Sequence, residues 1–298
     1  MSVPTTSVII PSRNRPDQVV RCLDALAAQA IEPRSFEVIV VDDGSEPRLE
    51  IDPARWANVF PLVVIHQRNT GPAGARNRGV AEARGEFLAF TDDDCLPRPT
   101  WLAELVAGLR ENPEALIGGS TVNGIDDNSF SETSQLIVDM VYGHFNRDPA
   151  NAYFFASNNF ACRRDRFLAS GGFDTEFPGA AAEDREFCDR WRLQGRPLLW
   201  RTSAVIEHRH RQSLRSFSRL HFRYGQGAFL YQYKRRLRGS GTMADDLGFH
   251  RNLPGLARRS LARHRPVQRV VLALNLCLWQ AVNAVGFLQA WAFGPRPR

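Results

Sequence analysis

The sequence predicts an α/β fold built on an open, Rossmann-like sheet, and three observations lead to this prediction. Apolar runs of strand length alternate with longer segments whose apolar positions recur at helical spacing. Three of the apolar runs stop at polar clusters, namely Ser12–Asn14, Asp42–Ser45 and Asp92–Asp94. The chain has 298 residues, enough to bury one large core. Alternation of this kind is typical of sheets whose strands are joined by helical crossovers.

Each element is predicted from its own pattern, in chain order. An uninterrupted apolar run such as Glu37–Val41 indicates a strand that is buried on both faces of a parallel sheet. In the first helix Val19, Leu23 and Leu26 recur every three or four positions and so share one face. The predicted strands are Val8–Pro11, Glu37–Val41, Leu62–Ile65, Glu86–Phe90, Ala115–Val122 and Leu198–Ile206. The predicted helices are Asp17–Gln29, Gly71–Arg84, Leu102–Leu109 and Ala182–Leu193.

The later part of the chain has weaker patterns. Asp126–Asn151 is polar and irregular, with an apolar helical patch near Leu136–Val141. After His208 the sequence turns basic, and a helix is predicted to about Arg238. Ser240–Asp246 is a candidate linker because it is rich in small and polar residues.

The charge is distributed unevenly, which suggests two regions. Residues 201–265 hold 15 Lys/Arg and 3 Asp/Glu, whereas the whole chain carries a net charge of +6. Such a basic tract suits anionic lipid, a phosphorylated substrate or nucleic acid, but no nucleic-acid recognition motif accompanies it. We therefore expect a sheet domain over residues 1–210, a basic helical region over residues 211–298, and no nucleic-acid partner.

Two further features indicate a cytoplasmic protein. The five cysteines show no CxxC or zinc-ligand spacing and are predicted to be small core residues in a reducing compartment. The N-terminus shows neither a basic n-region nor a long apolar h-region, so no signal peptide is predicted.

The C-terminal segment Val267–Phe293 predicts an apolar helix about 40 Å long, enough to cross a bilayer. A stripe of amides, which includes Asn275, Asn283 and Gln289, favours a helix lying in the membrane interface or packing on a partner over a lone span. Burial against the sheet domain is the alternative. The preceding basic tract favours the membrane, so we expect a peripheral protein at the inner face of the cell membrane.

The acidic triplet Asp92–Asp94 suits chemistry on a diphosphate. The carboxyl ends of parallel strands meet at one edge of the sheet, so this triplet is expected beside Ser12–Asn14 and Asp42–Ser45. Two carboxylates separated by one residue can hold a divalent cation that neutralises a departing diphosphate. By itself, such a triplet is more often a solvated turn or a helix cap.

Four motifs in a particular order favour the metal site over the solvated turn or helix cap. They are VIIPSRNR at residues 8–15, VVDDGS at 40–45, GPAGARNRG at 71–79 and FTDDD at 90–94. This ordered set closely resembles the family-2 glycosyltransferases with the GT-A fold, a Rossmann-like open mixed sheet flanked by helices. Later runs, GGFD at 171–174 and EDREF at 183–187, resemble that family's acceptor-side motifs. The resemblance covers about residues 5–210.

The resemblance implies an activity. The chain would be a hexosyltransferase-type enzyme that moves a sugar, with inversion, from a nucleotide-diphosphate donor to an acceptor hydroxyl. A UDP- or dTDP-sugar is favoured as donor, Mn²⁺ or Mg²⁺ as cofactor, and a glycan, lipid-linked or other hydroxyl compound as acceptor. A non-catalytic nucleotide-sugar or glycan-binding protein of the same fold is the alternative, although such a protein could lose Asp94 or Asp184, which are both present.

The resemblance also implies roles in donor binding. The residues assigned to the nucleotide sugar are Pro11, Arg13, Asp43, Arg76, Asp92 and Asp93. Pro11 and Arg13 would border the base and ribose, and Asp43 would accept a hydrogen bond from a base N–H. Arg76 would pair with the nucleotide, unless it is an ordinary helix-face arginine. The neighbouring Asp42 is expected to stabilise its own turn.

Asp94 is the predicted metal ligand, and His208 would complete the metal shell unless it belongs to a solvent-facing basic patch. Asp184 is the predicted catalytic base, because single displacement needs a carboxylate near the acceptor hydroxyl. Its alternative role is favourable electrostatics at a helix start. Further candidates are His210, Asn158, Asn159, Arg211, Arg223 and Tyr224.

Overall fold

A computed structural model describes residues 4–177, 179 and 181–294, and in this part of the chain eight strands form one mixed sheet. The strands are β1 (Thr6–Ser12), β2 (Phe36–Asp42), β3 (Leu62–His66), β4 (Phe87–Phe90), β5 (Cys95–Pro97), β6 (Leu116–Asn123), β7 (Phe160–Arg163) and β8 (Leu198–His208). Their order across the sheet is β3-β2-β1-β4-β7-β6-β8-β5. The first four positions are parallel, whereas β7 runs antiparallel to both β4 and β6. The predicted open mixed sheet is confirmed.

Helices cover both faces of this sheet. They are α1 (Pro16–Ala27), α2 (Gly71–Glu82), α3 (Trp101–Glu111), α4 (Ser129–Phe145), α5 (Arg164–Ala169), α6 (Glu183–Leu193), α7 (Leu214–Arg238), α8 (Met243–Leu261) and α9 (Pro266–Phe293). One core lies between the sheet and α1 and α3, where Leu23 and Leu105 are fully buried. The other lies under α2 and α6 and includes stacked rings of Phe160 and Phe187, 5.8 Å apart.

Three local expectations were wrong. The segment predicted to be irregular contains the 17-residue helix α4, which the side chain of Asn128 caps by accepting from the N–H of Ser131. Its buried face, which includes Met140, packs on a cluster with the C-terminal helices, so tertiary contacts stabilise what local pattern leaves weak. The predicted linker ends early because α8 begins at Met243. The short strands β5 and β7 were not predicted as strands.

Helices α7 and α9 touch at the level of their backbones. A Cβ added to Gly286 would lie 2.0 Å from the carbonyl oxygen of Phe222, and one added to Gly225 would lie 2.0 Å from the carbonyl oxygen of Asn283. Close approach of this kind requires glycine on both helices. On its other side, α7 is held against the start of α6, where a Cβ on Gly227 would lie 2.1 Å from the carbonyl oxygen of Ala181.

The two faces of α9 differ in chemistry. Its amides turn inward, where Asn275 donates to Thr133 of α4 and Asn283 donates to a backbone carbonyl of α7. Its outward face is apolar; Leu274, Leu288 and Trp291 are 65%, 57% and 69% exposed. By length and composition α9 is the one described helix that passes for a membrane span, with 28% of its apolar window buried. The amide stripe therefore serves packing on the rest of the chain, which was the alternative to a helix in the membrane interface or on a partner.

Candidate active site

The polar ends of β1, β2 and β4 meet at one edge of the sheet, as predicted. The Ser12 hydroxyl donates to Asp93 Oδ2 at 2.7 Å, across 81 positions of sequence. The Asp43 N–H donates to the carbonyl of Ser12 at 2.9 Å. The three motifs therefore line one cleft because the three strands are parallel neighbours.

The turn after β2 uses its two carboxylates differently. Asp42 accepts from the N–H groups of Ser45 and Leu49 and stabilises the turn, as expected. Asp43 is 5% exposed and accepts from the N–H groups of Thr70 and Gly71, both at 2.7 Å, where α2 begins. A carboxylate at a helix N-terminus satisfies unpaired donors and complements the helix dipole. Asp43 Oδ2 accepts only the Gly71 N–H among the described contacts, so it retains capacity for one further donor.

Pro11 and Arg13 border this turn on the β1 side. Pro11 pairs in register with Val41, one residue before the turn. The Arg13 side chain is exposed, and its Nε donates to the carbonyl of Gly44 at 3.2 Å. Both predicted nucleotide contacts therefore lie at the mouth of the cleft.

The three carboxylates of the acidic triplet have separate environments. Asp92 is the most exposed and accepts from Arg76 at 2.6 Å. Asp93 is 4% exposed, and its oxygens face Ser12 and Arg15. Burial, followed by the charge of Asp94, raises the pKa of Asp93 to about 7. Its placement therefore favours a positioning role within the triplet over open contact with a substrate.

The Asp94 carboxylate contacts a histidine and an arginine. Its Oδ1 lies 3.2 Å from His208 Nε2, and its Oδ2 lies 2.9 Å from Arg15 Nη1. Burial would raise the pKa of Asp94, but the charges of His208 and Arg15 outweigh it and hold the pKa below its ordinary range. Burial lowers the pKa of the neighbouring His210 to about 4, so that ring is neutral near pH 7.

The donor set at Asp94 fits a divalent cation. Two cis ligands of an octahedral ion with bonds near 2.1 Å are about 3 Å apart, which agrees with the 3.2 Å between Asp94 Oδ1 and His208 Nε2. The Sγ of Cys95 lies within the same 4.8 Å group, but Cys95 is buried in the apolar core. Carboxylate oxygen and imidazole nitrogen suit Mn²⁺ well. The Cys95 thiol contacts Asp94 Oδ1 at 3.9 Å, and burial raises its pKa, so it stays protonated and is a poor ligand.

Arg76 connects the acidic triplet to the start of α6. It is 2% exposed, lies on α2, and donates to Asp92 at 2.6 Å and to Glu183 at 3.3 Å. These two acids are separated by 91 positions in sequence, so only the tertiary structure shows the pairing. Arg76 is therefore not an ordinary exposed helix-face arginine.

Glu183 and Asp184 begin α6 after a strained turn, since Ala182 has a left-handed φ of 70°. Asp184 accepts from the N–H groups of Ser157 at 3.3 Å and Arg185 at 2.8 Å. Burial raises the pKa of Asp184, while burial and then the charge of Asp184 raise that of Glu183 to about 7. Glu183 and Asp184 thus lie at the N-terminus of α6, as expected, and both have a raised pKa.

The remaining residues that the sequence predicted as site candidates differ in their burial and in their partners. Burial and then the charges of Asp184 and Glu183 raise the pKa of Tyr224, an α7 side chain whose ring lies 5.5 Å from that of His221. Asn159 is fully buried and accepts from Trp101 Nε1, so it is a core anchor and not an acceptor contact. Arg211 pairs with the exposed Asp127.

Sequence reasoning missed Arg15 as a site residue. Its Nη1 donates to both Asp93 and Asp94. The available signal was its position, since Arg15 directly follows the polar run Ser12–Asn14 at the end of β1.

The sequence profile described as Glycosyl transferase family 2 matches residues 7–169, more than half of the chain. The chain belongs to this family. Among curated relatives, the pre-mycofactocin glycosyltransferase of Mycobacterium tuberculosis is 30% identical over 228 residues, which are 74% of this chain and 46% of that protein. This chain therefore spans about half the length of that relative.

Two further comparisons, one with a curated sequence and one with a solved structure, extend beyond the profile match. The glucosyl-dolichyl phosphate glucuronosyltransferase of Haloferax volcanii is 25% identical over 242 residues, which are 76% of this chain and 74% of that protein. Among solved structures, a mannosyltransferase from Pyrobaculum calidifontis in complex with GDP-Man and Mn²⁺ superposes with a TM-score of 0.62 at 19% identity, covering 99% of this chain and 88% of that one. The likeness confirms the GT-A fold of this family-2 chain.

Proposed function

We propose that this chain transfers a sugar from a nucleotide-diphosphate donor to an acceptor hydroxyl by metal-assisted single displacement, with inversion. The observation that carries the proposal is the bridge formed by Arg76 between Asp92 and Glu183. It brings the acidic triplet and the acid pair of α6 close to each other, which supports a shared site. A reaction of this type needs both groups on opposite sides of one anomeric carbon.

Asp94 and His208 would hold Mn²⁺ or Mg²⁺. When bound, the cation supplies charge neutralisation for the diphosphate leaving group. The fit of the 3.2 Å donor spacing supports this assignment. The mannosyltransferase of the same fold was solved with Mn²⁺.

The nucleotide would lie along the ends of β1 and β2. Pro11 and Arg13 would border the base and ribose, and the remaining lone pair of Asp43 Oδ2 would accept a base N–H. Arg76 would act through Asp92, which it orients toward the ribose or sugar. A uracil or thymine N–H suits this acceptor, so UDP- and dTDP-sugars are the favoured donors.

Asp184 would take the proton of the acceptor hydroxyl. Its two oxygens accept from the backbone N–H groups of Ser157 and Arg185, so backbone donors hold the carboxylate in place. Burial raises its pKa, which makes it a stronger base. Asn158 follows Ser157 in sequence, and its Oδ1 atom is buried with no hydrogen-bond partner among the described residues. This oxygen would accept a hydrogen bond from a hydroxyl of the acceptor substrate.

A thermal-shift panel of UDP-, dTDP- and GDP-sugars with Mn²⁺ tests donor binding, because ligand affinity raises Tm directly. We expect the Asp94→Ala variant to lose the metal-dependent shift. The Asp184→Asn variant should keep the shift but lose about 10²–10⁴-fold in transfer rate, the usual contribution of a general base. The exposed Asp165→Asn exchange is the matched control.

The outcomes separate the two candidate functions. Donor binding without transfer in the wild-type chain, across a broad acceptor panel, would favour a non-catalytic nucleotide-sugar-binding protein. Full transfer activity of Asp184→Asn would remove Asp184 as the base. The product's anomeric configuration, read by NMR, decides between inversion and retention.

We further propose that residues 1–210 form the catalytic domain and residues 211–298 an accessory region that lies on the inner face of the cell membrane. The supporting observation is the apolar outward face of α9, preceded by Arg258, Arg259 and Arg263. Near-surface arginines each contribute about 1 kcal/mol toward anionic lipid. A lipid-linked acceptor fits this location, and the Haloferax volcanii relative is named for a glucosyl-dolichyl phosphate substrate.

Cys277 provides the probe for this proposal. It is the exposed cysteine, whereas the other four are buried, and it lies on the outward face of α9. An environment-sensitive fluorophore on Cys277 should shift to the blue with anionic vesicles and less with neutral ones. Leu274→Glu should weaken this shift, whereas Leu168→Glu, at an exposed leucine on α5, should not. A label that does not respond to vesicles would refute membrane contact through α9.

A further inference from the structure

Arg15 places a positive charge on the carboxylate that the proposed metal needs. It stands at the N-cap position of α1, and its Nη1 lies 3.0 Å from Asp93 Oδ1 and 2.9 Å from Asp94 Oδ2. Its side chain is 39% exposed, and Nε and Nη2 have no hydrogen-bond partner among the described residues. Arg15 thus contacts two buried acids through one nitrogen, and its contacts leave its other donors available to a further partner.

A cation at Asp94 would alter this contact. Asp94 and His208 would hold the cation, while Arg15 Nη1 lies 2.9 Å from Oδ2 of the same Asp94 carboxylate. Two positive charges on one carboxylate repel each other strongly in a partly buried site. The diphosphate that accompanies the cation is also the anion for which a guanidinium has bidentate geometry.

From this arrangement, and on the basis of the proposed function, we infer that Arg15 couples cation binding to donor binding. The contacts of Arg15 with Asp93 and Asp94 neutralise both acids, which opposes entry of a cation alone. When cation and nucleotide enter together, the guanidinium turns to the diphosphate through Nε and Nη2. Each ligand therefore raises the affinity for the other, and thermodynamic linkage makes the coupling factor equal in both directions.

Binding measurements with Mn²⁺ and UDP or GDP test this inference without turnover. Free Mn²⁺ is followed by electron paramagnetic resonance, with and without nucleotide. Arg15→Gln should bind Mn²⁺ alone more tightly and bind nucleotide at saturating Mn²⁺ more weakly. The coupling factor should fall by about tenfold, as expected for the loss of a charge-assisted contact. Opposite changes in two affinities are not produced by partial unfolding.

Two further variants complete the test. Arg15→Lys keeps the charge but loses the forked geometry, so its affinity for Mn²⁺ alone should stay near the wild-type value while nucleotide binding weakens. Arg21→Gln, an exposed change on the same helix, should leave both affinities unchanged. If Arg15→Gln keeps the wild-type coupling factor, the coupling role of Arg15 is wrong, while the proposed metal-dependent function still stands. A wild-type chain that binds no Mn²⁺ with either nucleotide would refute the metal-dependent function itself, and the inference with it.

Discussion

The close contact of α7 and α9 makes a quantitative prediction for Gly286→Ala. The new Cβ would lie 2.0 Å from the carbonyl oxygen of Phe222, whereas ordinary contact begins at 3.4 Å, so the helices must separate locally by about 1.4 Å. Overpacking of this kind costs about 1–3 kcal/mol. Alanine recovers about 0.5–1 kcal/mol through its higher helix propensity. The net destabilisation is therefore about 0.5–2 kcal/mol.

Thermal unfolding followed by circular dichroism measures this difference. In a chain of this size each kcal/mol changes Tm by about 2 °C, so Gly286→Ala should lower Tm by about 1–4 °C. Gly248→Ala in α8 is the matched control, because a Cβ there meets nothing within 4 Å. It should raise Tm by about 1–2 °C.

The two variants are thus expected to move Tm in opposite directions. A rise of Tm in Gly286→Ala equal to that of the control would show that the two backbones are not in contact. Gly225→Ala probes the same contact from the α7 side and should behave like Gly286→Ala.

Three further predictions follow from the burial and bonding of particular side chains. In a thiol titration of the native protein, Cys277 should react at once and the four buried cysteines only after unfolding. The base must be deprotonated to act, and burial raises the pKa of Asp184, so the kcat of transfer should fall as the pH is lowered through a pKa above the ordinary 3.8 of an aspartate. A kcat that stays constant down to pH 3.8 would contradict this prediction. Trp101→Phe leaves the buried Oδ1 of Asn159 without its donor and should cost about 1–3 kcal/mol in urea unfolding, whereas Trp291→Phe, 69% exposed, should cost much less.

Much of the fold could be predicted because its signals are local. The run Glu37–Val41 is apolar at most positions, and the strand that contains it is buried at every position. The polar residues that follow parallel strands lie at the same edge of the sheet. Ser12 and Asp93 are therefore in contact, as expected. Helix α4 was not predicted over its full length, because its apolar residues follow helical spacing clearly only near its middle. Packing on other elements stabilises the rest of the helix.

The sequence by itself determined the α/β fold, the family and the convergence of the strand-end motifs. Periodicity and strand polarity decide which residues share a face or an edge, and neither depends on distant partners. Only the tertiary structure decided that Arg76 joins Asp92 to Glu183 and that Arg15 neutralises the acid predicted to hold the metal. It also decided that the amides of α9 turn toward the protein and its apolar face turns outward. The physical reason is that a charge or an amide can pair with any suitable partner, and packing between distant elements selects which one.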